Sequence, residues 1–191
     1  MKLTRGVQQY IEKMVQDLRG EEDFAPFIII KDHKGDARCV MLTMPDDPNE
    51  KDTVADTMTV FCGIYRATEA AFAAVGYQSR NAKESERLLR PSEDPNRVEV
   101  VILNVVNSDN SVLHTADLIR ENSLVAVSLW DAPDGRAEGR FSDALQLGIG
   151  LGQAMPPDMT KFFDEELAKG REEEMIAMFR RAFETIKKER P

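Results

Sequence analysis

Hydrophobic positions along the chain change their period several times, and each change marks an element. Leu3, Val7, Tyr10, Ile11, Met14, Val15 and Leu18 recur at helical intervals, so 1–20 reads as an amphipathic helix that Gly20 stops. Residues 26–32 and 37–44 are short apolar runs around His33-Lys34-Gly35-Asp36, the pattern of a β-hairpin. Asp47 then offers an N-cap, Pro48 a first helical residue and Glu50 a capping-box acid. Val54, Met58, Phe61, Cys62 and Tyr65 give this central helix a buried face, with its end expected near Thr68. The apolar segment 71–77 either prolongs this helix or forms a third strand. The polar stretch 79–96 reads as a long connection with one helical turn at 83–89.

The clearest strand is 97–107, where Val98, Val100, Val101, Ile102, Leu103, Val105 and Val106 cluster. Residues 112–119 and 124–130 should follow as antiparallel neighbours, with a further turn at Asp134-Gly135. The glycine-rich stretch 136–157 reads as irregular. Residues 158–168 and 171–190 read as helices divided by Gly170, and the last buries Met175, Ile176, Phe179, Ala182, Phe183 and Ile186 along one side. Hairpins outnumber crossovers in this order. The expectation is a single α+β domain spanning 1–191: an antiparallel sheet of about five to six strands and a central helix within 26–130, flanked by an N-terminal amphipathic helix at 1–20 and a C-terminal helical segment at 158–190. The terminal helices need another apolar surface, which each other, the second sheet face or a copy of the chain would supply.

Charge narrows the classes of function. The net charge is −9 over 191 residues; residues 1–20 carry +2 and 158–191 carry −1, which leaves −10 for 21–157. A nucleic-acid binder needs a basic patch, so direct nucleic-acid binding is not expected, nor is attachment to an anionic membrane. No apolar run approaches the ~20 residues that span a bilayer. The N-terminal residues have a basic start without the apolar stretch of a secretory signal, so a cytoplasmic location is expected. Cys39 and Cys62 each lie in apolar segments outside any CxxC pair, and read as two buried thiols in a reducing compartment.

Chemistry-bearing motifs are sparse. His33 lies in the hairpin turn without a second histidine at ligand spacing, and reads as a solvated turn residue. His114 reads as a surface or half-buried strand residue. No Ser stands in a GxSxG elbow. Gly148-Ile149-Gly150-Leu151-Gly152 lacks the Lys-Ser/Thr of a phosphate loop and reads as a flexible or closely packed connection. Asp46, Asp47, Glu50, Asp52 and Asp56 gather at the start of the central helix, where the helix dipole favours acids. Trp130, the only tryptophan, reads as a core or rim anchor or an interface residue. No cofactor and no metal is expected.

Arg90-Pro91-Ser92-Glu93-Asp94-Pro95-Asn96-Arg97-Val98-Glu99 is a stiff two-proline turn feeding a strand. Arg97 and Glu99 stand two apart and share one sheet face. They either pair with charges on neighbouring strands or serve, with Arg90, Ser92, Asp94 and Trp130, as contacts for a ligand or partner. This stretch resembles a Pro-Ser-x-x-Pro-x-Arg-x-Glu motif in a scattered group of uncharacterised bacterial and phage proteins. In that group an apolar strand ending in Ser-Glu-Ala-Trp or similar precedes the motif; here 71–78 occupies that place, so the resemblance implies a strand there, with Gly76-Tyr77-Gln78 where the acid and tryptophan would be. The resemblance covers roughly 26–130. It implies topology and a bacterial or phage origin but no activity.

The leading expectation is therefore a non-enzymatic cytoplasmic protein that acts through a protein partner, with a homodimer among its forms. One alternative is an enzyme or small-ligand domain with an anion site at 90–99, where Arg97 holds the anion. Another is an acidic mimic of nucleic acid that blocks a DNA-binding enzyme.

Overall fold

The computed structural model describes residues 3–47, 49–79, 94–131 and 137–189. Its elements run α1 (Leu3–Asp17), β1 (Phe27–Lys31), β2 (Ala37–Met41), α2 (Glu50–Ile64), β3 (Glu69–Ser79), β4 (Arg97–Asn107), β5 (Ser111–Glu121), β6 (Leu124–Val127), α3 (Arg140–Gln153), α4 (Pro157–Ala168) and α5 (Glu172–Glu189). The strands form one antiparallel sheet in the order β2-β1-β3-β4-β5-β6. The α+β class and antiparallel sheet are those the residue pattern implies.

Alternation along the strands sends side chains into two cores, one on each sheet face. On one face Val7, Ile11 and Val15 of α1 pack against Phe27, Ala71, Ala73, Val101, Leu103 and Leu118. The N-terminal helix thus finds its partner on the second sheet face, over β3, β4 and β6. On the other face Ile28, Ile30, Ala70 and Phe72 meet Met58 and Ile64 of α2, Leu145 and Ile149 of α3, and Phe163, Met175 and Phe183 of the last two helices.

The stretch 136–157 departs from expectation. Residues 140–153 are helical, and α3 shares the sheet face with α2, lying against β3 and β4. Its glycines serve close approach instead of flexibility. A Cβ on Gly148 would stand 2.5 Å from the Thr59 carbonyl oxygen, and one on Gly152 would stand 2.9 Å from the Gly63 carbonyl oxygen. Two glycines four apart make one flat strip on α3, and α2 beds into it. Thr59 donates its hydroxyl to the Ala144 carbonyl at 3.0 Å across this seam. Asn104 donates to Ser142 at 2.8 Å, and Ser142 to the Ala137 carbonyl at 3.1 Å, so the buried polar groups at the start of α3 are satisfied.

Both ends of α2 differ from the sequence reading. The regular helix begins at Glu50 with Asn49 at the cap position and no side-chain cap bond there. Asp47 still covers helix-end donors: its Oδ1 accepts the Asn49 N–H at 2.8 Å and its carbonyl accepts the Lys51 N–H at 3.2 Å. The helix stops at Ile64, not Thr68, because Arg66 turns left-handed with φ 47°. The Arg66 N–H then reaches the Gly63 carbonyl and the Ala67 N–H reaches the Cys62 carbonyl, the paired bonds of a Schellman ending. The buried set also exceeds the expected stripe, since α3 covers Thr59 and the Phe179 ring of α5 covers Gly63.

Cys39 is exposed, contrary to expectation, because its side chain lies on the sheet face that α1 leaves bare at the hairpin; Cys62 is buried and both thiols are free. β6 ends at Val127, three residues before Trp130. The helical turn expected at 83–89 and the turn at Asp134-Gly135 lie outside the described residues. Among the described residues, no helix is long and apolar enough to cross a membrane.

Candidate functional site

Among the described residues, two places are the strongest candidates for a site. The first is a polar junction where the β1–β2 turn, the end of α2 and α4 meet. Asp32 is buried and its Oδ1 accepts the backbone N–H groups of Lys34 at 2.8 Å and Asp36 at 2.9 Å, which folds the turn around it. Asp164 on α4 accepts from the Arg66 Nη2 at 2.8 Å, with Lys34 Nζ at 3.5 Å and His33 Nε2 at 3.7 Å. Arg66 also contacts the His33 ring, and its Nε is buried without a hydrogen-bond partner among the described residues. His33 is an exposed turn residue, as its sequence setting implies, and its ring also touches this charged cluster. Tyr65 hydrogen-bonds Glu172, and burial, followed by that bond, raises its phenol above the ordinary value. The guanidinium of Arg38 lies 4.4 Å from the Tyr65 ring centre.

These groups surround a recess of about 140 Å³. Small-molecule sites typically occupy roughly 300–1,000 Å³. Asp164 faces Arg66 and Lys34, and Asp32 faces Arg38, so the junction acts as a clasp that holds α4 against the hairpin and the end of α2. Sequence reasoning missed Arg66 and Asp164, which stand 98 residues apart along the chain.

The second place is the outer side of the last two helices. α4 turns Phe163 and Leu167 inward and Met159 and Phe162 outward, as a four-residue and a three-residue spacing dictate. Phe162 is 44% exposed and Met178 on α5 is 37% exposed. They line one groove of about 520 Å³ whose other walls include Arg171, Glu174, Met175 and Arg181. Of the α5 stripe read from sequence, Met175 and Phe183 are buried, while Ala182 and Ile186 are exposed. At the turn between these helices Glu166 pairs with Lys169 at 2.6 Å and Arg171 at 2.8 Å. The hydrogen bond from Lys169, with the Arg171 charge beside it, holds the Glu166 carboxyl below its ordinary value.

The motif residues are distributed differently. Arg90 and Ser92 lie outside the described residues. Asp94 closes a turn: its side chain accepts the Asn96 N–H at 2.8 Å and its carbonyl the Arg97 N–H at 3.1 Å. A hydrogen bond from Ser79, then the one from Asn96, holds its carboxyl low. Arg97 and Glu99 share a face, as their spacing requires, since Arg97 stands opposite Ser79 and Glu99 opposite Tyr77. The Arg97 guanidinium lies 4.8 Å from the Tyr77 ring centre, and Glu99 accepts from the Arg120 Nε at 2.7 Å. Trp130 sits elsewhere. Asp131 beside it bonds the Thr115 carbonyl, and Thr115 pairs with Ile102, five residues along β4 from Arg97. The Trp130 indole donates to Glu12 of α1 at 2.9 Å, which makes it a rim anchor for the N-terminal helix. Of the acids gathered at the start of α2, Asp52 pairs with Arg140 at 3.0 Å and Asp56 with Lys187 at 2.7 Å.

No family model matches this chain. No curated protein and no solved structure matches it significantly either.

Proposed function

We propose that this chain acts in the cytoplasm by binding another protein, without catalysing a reaction, and that the groove between α4 and α5 is where the partner docks. The observation that carries this reading is the exposure of Phe162 and Met178 along one groove. Full burial of a large apolar side chain is worth roughly 1.5–3 kcal/mol, and a partner covering the 44% of Phe162 left exposed recovers part of it. Methionine adapts its shape to what it meets, and Arg171, Arg181 and Glu174 supply the charged rim that fixes orientation. The fitting partner presents an aromatic or aliphatic side chain flanked by charges of both signs. The sequence pattern at 91–99 supports a bacterial or phage origin.

The test is retention of partner on immobilised full-length chain. Phe162→Ser and Met178→Ser should each weaken binding of the same retained protein by about 2 kcal/mol, roughly thirtyfold, while leaving the fold intact. A partner held equally by both variants would place docking elsewhere and overturn the reading.

A further inference from the structure

The two edges of the sheet are finished differently. The outer edge of β6 is covered: Arg19 bridges Leu124, and the Gly20 N–H reaches the Ser123 carbonyl. Among the described residues nothing pairs with the outer edge of β2. Its backbone polarity follows from two bonds and the register. The Leu42 N–H reaches Pro26 and the Asp32 N–H reaches Asp36, while Val40 stands opposite Ile28 and Arg38 opposite Ile30. Asp36, Arg38, Val40 and Leu42 therefore direct their backbone groups toward β1. Ala37, Cys39 and Met41 direct theirs outward.

Edge strands are ordinarily protected by lysine, proline, a bulge or a covering segment. β2 reads Ala-Arg-Cys-Val-Met and carries none of the first three. Its one charge, Arg38, is drawn back over Tyr65 with its Nε 3.9 Å from Asp32. Ala37, Cys39 and Met41 share the sheet face that α1 leaves bare, and Met41 is 53% exposed.

We propose that a second copy of this chain docks here, β2 against β2 in antiparallel register, so that the two sheets become one. The edge is complementary to itself. With Cys39 opposite Cys39 of the other copy, Ala37 falls opposite Met41, small against large. All three outward residues then meet outward residues, with two hydrogen bonds at each pair. Charge favours this place over others. Residues 27–44 hold Lys31, Lys34 and Arg38 against Asp32 and Asp36, a balance of +1 in a chain of −9, so the copies meet where mutual repulsion is least. This surface shares no residue with the α4–α5 groove and does not depend on it.

The experiment is sedimentation of the full chain over rising concentration, coupled to a short bismaleimide cross-linker. Cys39 is the exposed thiol and Cys62 is buried, so the reagent reports on the β2 edge. Paired Cα atoms of this type lie about 5.5 Å apart, within reach of the reagent. A reversible dimer that cross-links is expected. Cys39→Pro removes an outward N–H and no bond to β1, and Met41→Lys places a charge in the seam; each should weaken dimerisation more than about tenfold with unchanged circular dichroism. A chain that stays monomeric to millimolar concentration overturns the proposal. So does a dimer that resists cross-linking or persists undiminished in Met41→Lys.

Discussion

At the scale of single residues, glycine marks the points where this molecule has no room to give. Gly148 and Gly150 stand two apart on α3, yet a Cβ on Gly148 meets the backbone of Thr59 while one on Gly150 meets nothing within 4 Å. Gly148→Ala should destabilise the fold by about 1–3 kcal/mol because α2 and α3 must separate. Gly150→Ala should stabilise it by about 0.5–1 kcal/mol through helix propensity alone. Urea unfolding of the two variants checks both signs, and equal effects would remove the account of the seam. Arg66 is the opposite case: a side chain where glycine is usual, at a conformational cost of roughly 1–2 kcal/mol, placed so that its guanidinium reaches Asp164. The two roles differ in how far the sequence carries them. The Gly148–Gly152 spacing offered a signal for close helix packing, since residues four apart share a face. Arg66 and Asp164 offered none, because folding alone brings them together.

At the scale of elements, legibility followed how locally each element is determined. β4 was readable to the residue because its β-branched run is decided by its own side chains. α1 was readable because its stripe has one partner, the sheet. α3 was not, because glycine disfavours a helix until a second helix rewards its lack of a side chain. The α4–α5 turn depends on a similar long-range fit but adds charge. Glu166 has its carboxyl held below the ordinary 4.5 by Lys169 and Arg171. For an acid whose folded value is depressed, the stabilisation is complete above the unfolded value and fades as pH falls through the folded one. Acid titration of Tm should therefore show an added loss below about pH 4.5 in the native chain, and Glu166→Gln should flatten that limb. Identical acid limbs in the two proteins would deny Glu166 this part.

At the scale of the whole molecule, the sheet carries two layers of cover held by different means. The layer of α2, α3, α4 and α5 is joined by a continuous apolar core. α1 relies on its apolar stripe together with Arg120, which is 15% exposed along its side chain and donates to Glu99 at 2.7 Å, Gly20 at 2.7 Å and Glu22 at 2.8 Å, with Asp23 beside it. Arg120→Ala strips the chain entering β1 of its anchor and leaves Glu99 half-buried without that cation, a cost of about 2 kcal/mol. Hydrogen exchange should rise in α1 and change little in α2 and α3; uniform loss of protection would mean the layers are not separable. The ring of Phe179 lies flush on Gly63, where any Cβ would strike it. During synthesis on the ribosome α2 therefore emerges with this strip uncovered, and it stays so until α5 follows more than a hundred residues later. A chain ending before α5 leaves this face of α2 without its Phe179 cover, and should be cut by a protease faster than the full chain.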